Sequence, residues 1–399
     1  MLNPRIGELP PSAFMILDEM MAGLTPAAGV DPLNLTIGEP QNPPPDFVTE
    51  VIAEHKALFS RYTATNGTPD YRRAVADWLT SHYALPEGMI DADRNVLPVA
   101  GLREGMFMIA QIVTPETKAG AVPTILMPNP FYHPYAGAAL AAHGEPVFVP
   151  ALAENRFMPD YAALPEEILA RAAAVYLCSP ANPQGTAAEM DYLMAMIKLA
   201  RAHDFLLIVD ECYAEVYTGT RPPGALEAAA RLGGSLDNLV VFHSLSKRSN
   251  APGLRSGFAA GDADVLQRYF KFRNYGAVAV SMPILAAAAA LLREPSHVED
   301  IRSFYRANFD AADRILGNRY GYYRPDGGFF LWLDVGDGEA FARRAWQTAG
   351  VRILPGGYLA RPDAAGANPG ERYVRVAMVH DRDTTRAALG AIARLMEEN

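Results

Sequence analysis

Of the 35 basic residues only five are lysines, Lys56, Lys118, Lys198, Lys247 and Lys271. A reaction that needs an amine nucleophile therefore has few candidates. Lys247 follows an apolar run and lies among small hydroxyl residues, Ser244-Leu245-Ser246-Lys247-Arg248-Ser249. A lysine kept from water loses basicity and can attack a carbonyl carbon. The other four read as solvated: Lys56 follows Glu54 and His55, Lys118 lies within Pro115–Gly120, and Lys198 and Lys271 fall on helix surfaces. Other apolar runs also end in polar groups or glycine. They lead into Ala100-Gly101-Leu102-Arg103-Glu104, Ser179-Pro180-Ala181-Asn182-Pro183-Gln184-Gly185 and Asp210-Glu211-Cys212-Tyr213. The remaining 30 basic residues are arginines, which bind phosphate and carboxylate through two parallel hydrogen bonds.

Those runs are the elements that must position the chemistry. Val96–Val99, Thr124–Met127, Pro146–Val149, Ala174–Cys178, Leu206–Asp210, Leu239–His243 and Gly257–Ala260 read as strands, several continuously apolar as in sheets buried on both faces. Helical stretches such as Tyr192–His203 separate them, which is βα alternation. The last two lie too close for a crossover helix, so an antiparallel pair and a mixed seven-stranded sheet are expected. In such sheets ligands gather beyond the carboxyl ends of the strands. Past about residue 290 a long helix (Val298–Leu316) leads to short extended segments at Gly321–Arg324, Phe329–Leu333, Val351–Leu354 and Tyr373–Val379, the texture of a smaller α+β domain. The expected division is a large domain over 46–285 and a small one from 1–45 and 286–399.

The order and spacing of Asn182-Pro183-Gln184-Gly185, Asp210-Glu211-Cys212-Tyr213, Ser244-Leu245-Ser246-Lys247 and Pro252-Gly253-Leu254-Arg255-Ser256-Gly257 resemble fold-type-I, pyridoxal-phosphate-dependent aminotransferases of class I/II. The likeness covers nearly the whole chain, from Asn34-Leu35-Thr36-Ile37-Gly38-Glu39-Pro40 to Arg375. It implies an aspartate-aminotransferase-like α/β fold, pyridoxal 5'-phosphate as cofactor and a homodimer. Lys247 would form an imine with the cofactor aldehyde, and Asp210 would keep the pyridine nitrogen protonated so that the ring accepts electrons. Asn182 and Tyr213 match the partners of the ring's 3-oxygen. Gly101, Leu102, Ser244 and Arg255 match the phosphate site, and Tyr62 the tyrosine that reaches it from the other subunit. Tyr132 matches the aromatic that stacks on the ring, with Phe131 as its neighbouring alternative. Arg375 matches the α-carboxylate ligand, with Arg372 nearby as a surface charge, and Gly38 a backbone position close to substrate. Two departures stand out: Gln184 replaces a usual threonine, and Leu102 removes a hydroxyl.

Within that family, Ser244–Phe258, Pro128–Tyr132, Leu354–Arg361 and Gly366–Gly370 are similar to the N-succinyldiaminopimelate aminotransferases of lysine biosynthesis. The resemblance implies exchange of an amino group between glutamate and N-succinyl-2-amino-6-oxopimelate. Arg5, Arg103, Arg248 and Arg273 are unassigned candidates for extra substrate carboxylates. Aminotransferases of aspartate, alanine or aromatic donors, and a C–S lyase, are the alternatives on the same fold.

Composition narrows the classes further. A net charge of -10 and the absence of an apolar leader argue against nucleic-acid, membrane or secreted roles, so a cytoplasmic protein is expected. Tyr275–Leu292 is uncharged and long enough to span a bilayer, but Gly276, Ser281 and Pro283 interrupt it, and it reads as a loop or strand end followed by a buried Ala-rich helix. No G-x-G-x-x-G follows a strand, which argues against a nicotinamide dehydrogenase. A fused N-terminal helix-turn-helix domain is not expected, and the lack of H-E-x-x-H argues against a metal hydrolase. Cys178 and Cys212 read as small buried hydrophobes. His133, His203, His243 and His380 read as structural or solvated.

Overall fold

The computed structural model describes residues 7, 9, 11–319 and 321–397; Arg5 lies outside them. After helix Ala13–Met21 comes a two-residue strand, β1 (Leu33–Asn34). Seven strands follow: β2 (Val96–Val99), β3 (Thr124–Asn129), β4 (Glu145–Pro150), β5 (Ala172–Cys178), β6 (Leu206–Asp210), β7 (Leu239–Ser244) and β8 (Gly257–Gly261). They form one sheet in the order β2-β8-β7-β6-β5-β3-β4. Every pairing is parallel except those of β8, which runs antiparallel to both β7 and β2. The expected mixed sheet is thus present.

Buried alternation explains the strands. Along β5, Val175 and Leu177 face one core while Ala174 and Tyr176 face the other, and along β6 Leu207 and Val209 oppose Leu206 and Ile208. Both faces are covered by helices, so these runs carry almost no polar residues. Tyr275–Leu292 starts in the last two residues of helix Ala263–Gly276 rather than in a loop or strand end, and then, after a break, enters the expected Ala-rich helix, Met282–Arg293. No helix among the described residues is long and apolar enough to cross a membrane.

A third core lies apart from the sheet. It gathers Leu17 and Met20 of the first helix with Phe309 of helix Ser296–Leu316, Phe341 of helix Gly338–Ala349 and Ile392 of helix Arg382–Glu397. Against it pack β9 (Phe330–Asp334), β10 (Val351–Arg352), β11 (Leu354–Pro355) and β12 (Tyr373–Ala377). β10 pairs in parallel with β1, while β11 and β9 flank β12 antiparallel. The segment expected as one strand over Val351–Leu354 is therefore two strands in different sheets. Gly321–Arg324 forms no strand. Its side chains turn instead onto helix Ser296–Leu316, with Arg324 Nη1 2.8 Å from Asp310 and Tyr322 hydrogen-bonded to Asp313.

Lys118 departs from its solvated reading. Its Nζ donates to the carbonyls of Ala172, His203 and Asp204 at 2.6, 2.9 and 2.6 Å, closing the carboxyl end of helix Met190–His203. A cation there satisfies carbonyls that the helix leaves unpaired.

Candidate active site

The carboxyl ends of β5, β6 and β7, the turn after β2 and the face of β9 and β12 enclose a cavity of about 490 Å³. That volume lies within the ordinary range for small-molecule sites. Among the described lining residues are Gly38, Leu102, Tyr132, Asn182, Asp210, Tyr213, Ser244, Lys247, Arg255 and Arg375. Eleven of the twelve expected site residues therefore meet, with Gly101 at the same rim as the N-cap of helix Leu102–Val113. The exception is Tyr62, fully exposed and away from its own chain's cavity.

Lys247 sits in the short helix Leu245–Arg248, where the chain leaves β7 before reversing into β8. Ser244 caps that helix, its Oγ accepting from Ser246 N at 3.1 Å. The Lys247 Nζ donates to Gly38 O at 2.6 Å and lies over the Phe329 ring, 5.2 Å from its centroid. Burial pulls its pKa below the ordinary lysine value, which favours the free amine. Gly38 must remain a glycine, because a Cβ would strike the rings of Phe330 and Phe329.

Asp210 ends β6. Its Oδ2 accepts from Tyr135 OH at 3.0 Å and its Oδ1 from Cys212 N at 3.1 Å. Burial raises its pKa, so the site is a costly place for an unpaired carboxylate and a favourable one for a carboxylate facing a cation. Tyr135 is a functional neighbour that the sequence does not announce. It is fully buried three residues after Tyr132, its ring stacked on Tyr176 at 4.4 Å, so periodicity alone marks it as core.

An anion cradle forms opposite. Gly101 has φ +90°, and a Cβ there would collide with the Arg255 guanidinium. Arg255 reaches this place from the other side of the sheet reversal, anchored through Nη1 to Pro252 O at 3.1 Å. The first turn of helix Leu102–Val113 adds backbone N–H groups and the positive end of its dipole.

Arg375 on β12 closes the site. Its Nη1 donates to Asn182 Oδ1 at 3.0 Å and its Nη2 to Thr36 O at 2.6 Å, and it stacks over Phe330 at 4.2 Å. Burial lowers its pKa to about 10, and its buried Nε has no partner. Arg372 instead pairs with Asp334 at 3.0 Å as a surface charge. Tyr213 packs edge-on against Phe329 and Phe330, and burial raises its pKa well above normal.

The unassigned arginines separate clearly. Arg248 is buried against Glu215 at 3.0 Å and under Trp78, and Arg273 is buried against Glu104 at 3.2 Å; neither lines the cavity. An internal acid, rather than substrate, neutralises each of them. Arg103 does line the cavity, its Nε donating to Tyr132 OH at 3.2 Å. Arg361, the last residue of the Leu354–Arg361 motif but not among the arginines singled out for substrate, lines it too. Cys212 also contributes to the wall, unlike the wholly internal role expected of it. His133 reaches the cavity, with burial and Arg103 lowering its pKa to about 4. His243 is structural, pairing with Glu211 at 2.8 Å.

A buried lysine, a buried carboxylate and an anion cradle at one strand-end rim define an enzyme that handles a phosphorylated aromatic cofactor and a carboxylate substrate. The chain belongs to the aminotransferase class I and II family, whose model matches residues 30–392. That family uses pyridoxal 5'-phosphate. The residues present fit the group: the side-chain-free cradle at Gly101 suits a phosphate, and Asp210 lies buried where a ring cation would neutralise it. An aminotransferase structure from Neisseria meningitidis is 40% identical with a TM-score of 0.94, covering 99% of this chain and 100% of that one. An LL-diaminopimelate aminotransferase of Desulforudis audaxviator is 33% identical over 94% of this chain and 92% of its own. A Thermus thermophilus structure described as a probable N-succinyldiaminopimelate aminotransferase is 25% identical with a TM-score of 0.81, covering 96% of this chain and 100% of that one.

Proposed function

We propose that this aminotransferase moves an amino group between glutamate or 2-oxoglutarate and N-succinyl-2-amino-6-oxopimelate. The observation that carries the reading is the charge of the cavity. Among the described residues, Arg103, Lys247, Arg255, Arg361 and Arg375 line it, against the single carboxylate of Asp210. Such a wall suits a substrate with several carboxylates. It disfavours a free distal ammonium, and acylation removes that charge from the diaminopimelate skeleton. A second reading, unacylated LL-diaminopimelate, is favoured by the name of the relative at 33% identity.

When bound, pyridoxal phosphate supplies a carbonyl for the amino group and a ring that accepts electrons. The chain's residues do the rest. Arg255, Ser244 and the Gly101–Leu102 turn would hold the phosphate, and Asp210 would keep the ring nitrogen protonated. Asn182 and Tyr213 would hydrogen-bond the ring oxygen, and Tyr132 would pack on the ring. Arg375 orients the α-carboxylate. Lys247, with its lowered basicity, would hold the cofactor through its amine and, once released, would be placed to move a proton at the substrate's α-carbon.

Residues 46–285 serve in this reading as the cofactor domain, and 1–45 with 286–399 as the small domain. The exposed Tyr62 fits a homodimer in which it reaches the partner's phosphate site, and a cytoplasmic location belongs to the same reading. The test is an absorbance spectrum of the holoenzyme with and without glutamate, followed by acceptor turnover. Conversion of the cofactor band by glutamate, with faster turnover of the succinylated acceptor, is expected. Elimination of a side-chain sulfur group without amino transfer would instead identify a lyase, and preference for LL-diaminopimelate would select the second reading.

A further inference from the structure

We propose that Arg361, together with Arg103, binds the substrate carboxylate farthest from the reacting carbon and so selects dicarboxylic amino and oxo acids over monocarboxylic ones. This rests on the aminotransferase reading above and names the residues that would set its substrate class.

Both guanidiniums line the cavity, and among the described residues neither has a carboxylate partner. The other cations of the wall already have tasks at the carbonyl, the phosphate and the α-carboxylate. Two positive charges are left over, Arg361 partly withdrawn from water and Arg103 exposed at the rim, and among the described residues no acid compensates either. Burial lowers the pKa of Arg361, an indication of that deficit. A carboxylate ligand is the group that relieves it, and guanidinium forks match carboxylates in geometry.

Arg361 is also a built feature rather than a loose surface arginine. Buried Asn129, at the end of β3, grips its backbone from both sides: Nδ2 donates to Arg361 O at 2.8 Å, and Oδ1 accepts from Arg361 N at 2.9 Å. Two residues earlier, Leu359 O accepts from Phe131 N at 3.0 Å. The guanidinium lies over the Phe131 ring, 5.2 Å from its centroid, and spends Nη1 on Ala360 O at 2.9 Å. Arg103 is tethered by Nε to Tyr132 OH. The single turn Pro130-Phe131-Tyr132 therefore braces both arginines, and among the described residues their remaining N–H groups have no acceptor. Glutamate brings one remote carboxylate, and a succinylated aminopimelate brings two.

The test compares wild-type holoenzyme with Arg361→Met, Arg103→Met and Arg361→Lys. Removing either guanidinium from the remote carboxylate should lower kcat/KM for glutamate by about 10- to 150-fold, through KM. The value for norvaline, of equal chain length but without the second carboxylate, should stay within about threefold. Glutarate, titrated calorimetrically into the same proteins, should bind correspondingly more weakly to the methionine variants, and Arg361→Lys should recover part of the affinity. Equal falls for glutamate and norvaline, or unchanged glutarate affinity, would overturn the proposal. A fall in dimer stability with glutarate affinity intact would show that a partner acid neutralises Arg361, and would overturn it too. If wild-type enzyme transfers from neither amino acid, the aminotransferase reading fails, while the glutarate titration still decides the clamp.

Discussion

Arg375 and Asn182 meet across the cavity, Nη1 donating to Oδ1 at 3.0 Å, although they lie 193 residues apart. The hydrogen bond joins the loop after β5 to β12 and couples the residue expected at the ring oxygen to the one expected at the α-carboxylate. Arg375→Lys keeps the charge but not the fork. It should raise KM for every amino-acid substrate by roughly 100-fold, because a lysine cannot grip the carboxylate through two parallel hydrogen bonds. Asn182→Ala should raise KM by about tenfold through looser placement of Arg375. Steady-state kinetics with two different donors checks both, and a change limited to one donor would contradict the assignment.

Lys247→Ala should abolish amino transfer. Borohydride treatment should leave the mass of the reduced cofactor on wild-type chain and none on the variant. The Lys247 Nζ rests on Gly38 O and the Phe329 ring, and no other lysine among the described residues lines the cavity. Covalent retention by the variant would assign the amine elsewhere.

Gly101→Ala should weaken cofactor binding by about two orders of magnitude or more. The new Cβ would displace Arg255, and φ +90° is strained for any L side chain. Fluorescence titration of pyridoxal phosphate into apoprotein measures this, with circular dichroism to show the fold intact. Unchanged affinity would remove Gly101 from the phosphate site.

Glu215→Gln should destabilise the protein by about 3–5 kcal/mol, since it leaves buried Arg248 without its acid. Burial pushes the Glu215 carboxyl up, but Arg248, His82 and Arg302 outweigh it and hold its pKa below the ordinary value. A depressed folded-state pKa adds stability above the usual carboxylate value of about 4.3 and withdraws it as pH falls through the folded-state value. The difference in Tm between wild type and variant should therefore be full at about pH 6–7 and shrink below about pH 4. A pH-independent gap would point to packing rather than charge.

The strands were legible because all but the edge strand β4 are short apolar runs whose two-faced burial leaves little freedom of sequence. The main site residues were legible for a related reason. Lys247, Asp210, Asn182 and Gly101 all stand where a strand runs out, and a parallel sheet brings such ends to one rim whatever the loops do. What the sequence could not rank was the fate of equal charges. Arg248, Arg273, Arg103 and Arg361 are the same side chain on paper. Tertiary packing sends the first two onto Glu215 and Glu104 and leaves the last two facing the cavity. Lys118 capping a distant helix, and Tyr135 supporting Asp210, likewise depend on partners 54 to 86 residues away for the one and 75 for the other. Sequence determined which chemistry the chain carries, because residue type and strand ends are local; only the folded structure decided which charges remain free to use it, because a charge is neutralised by whatever lies near it in space.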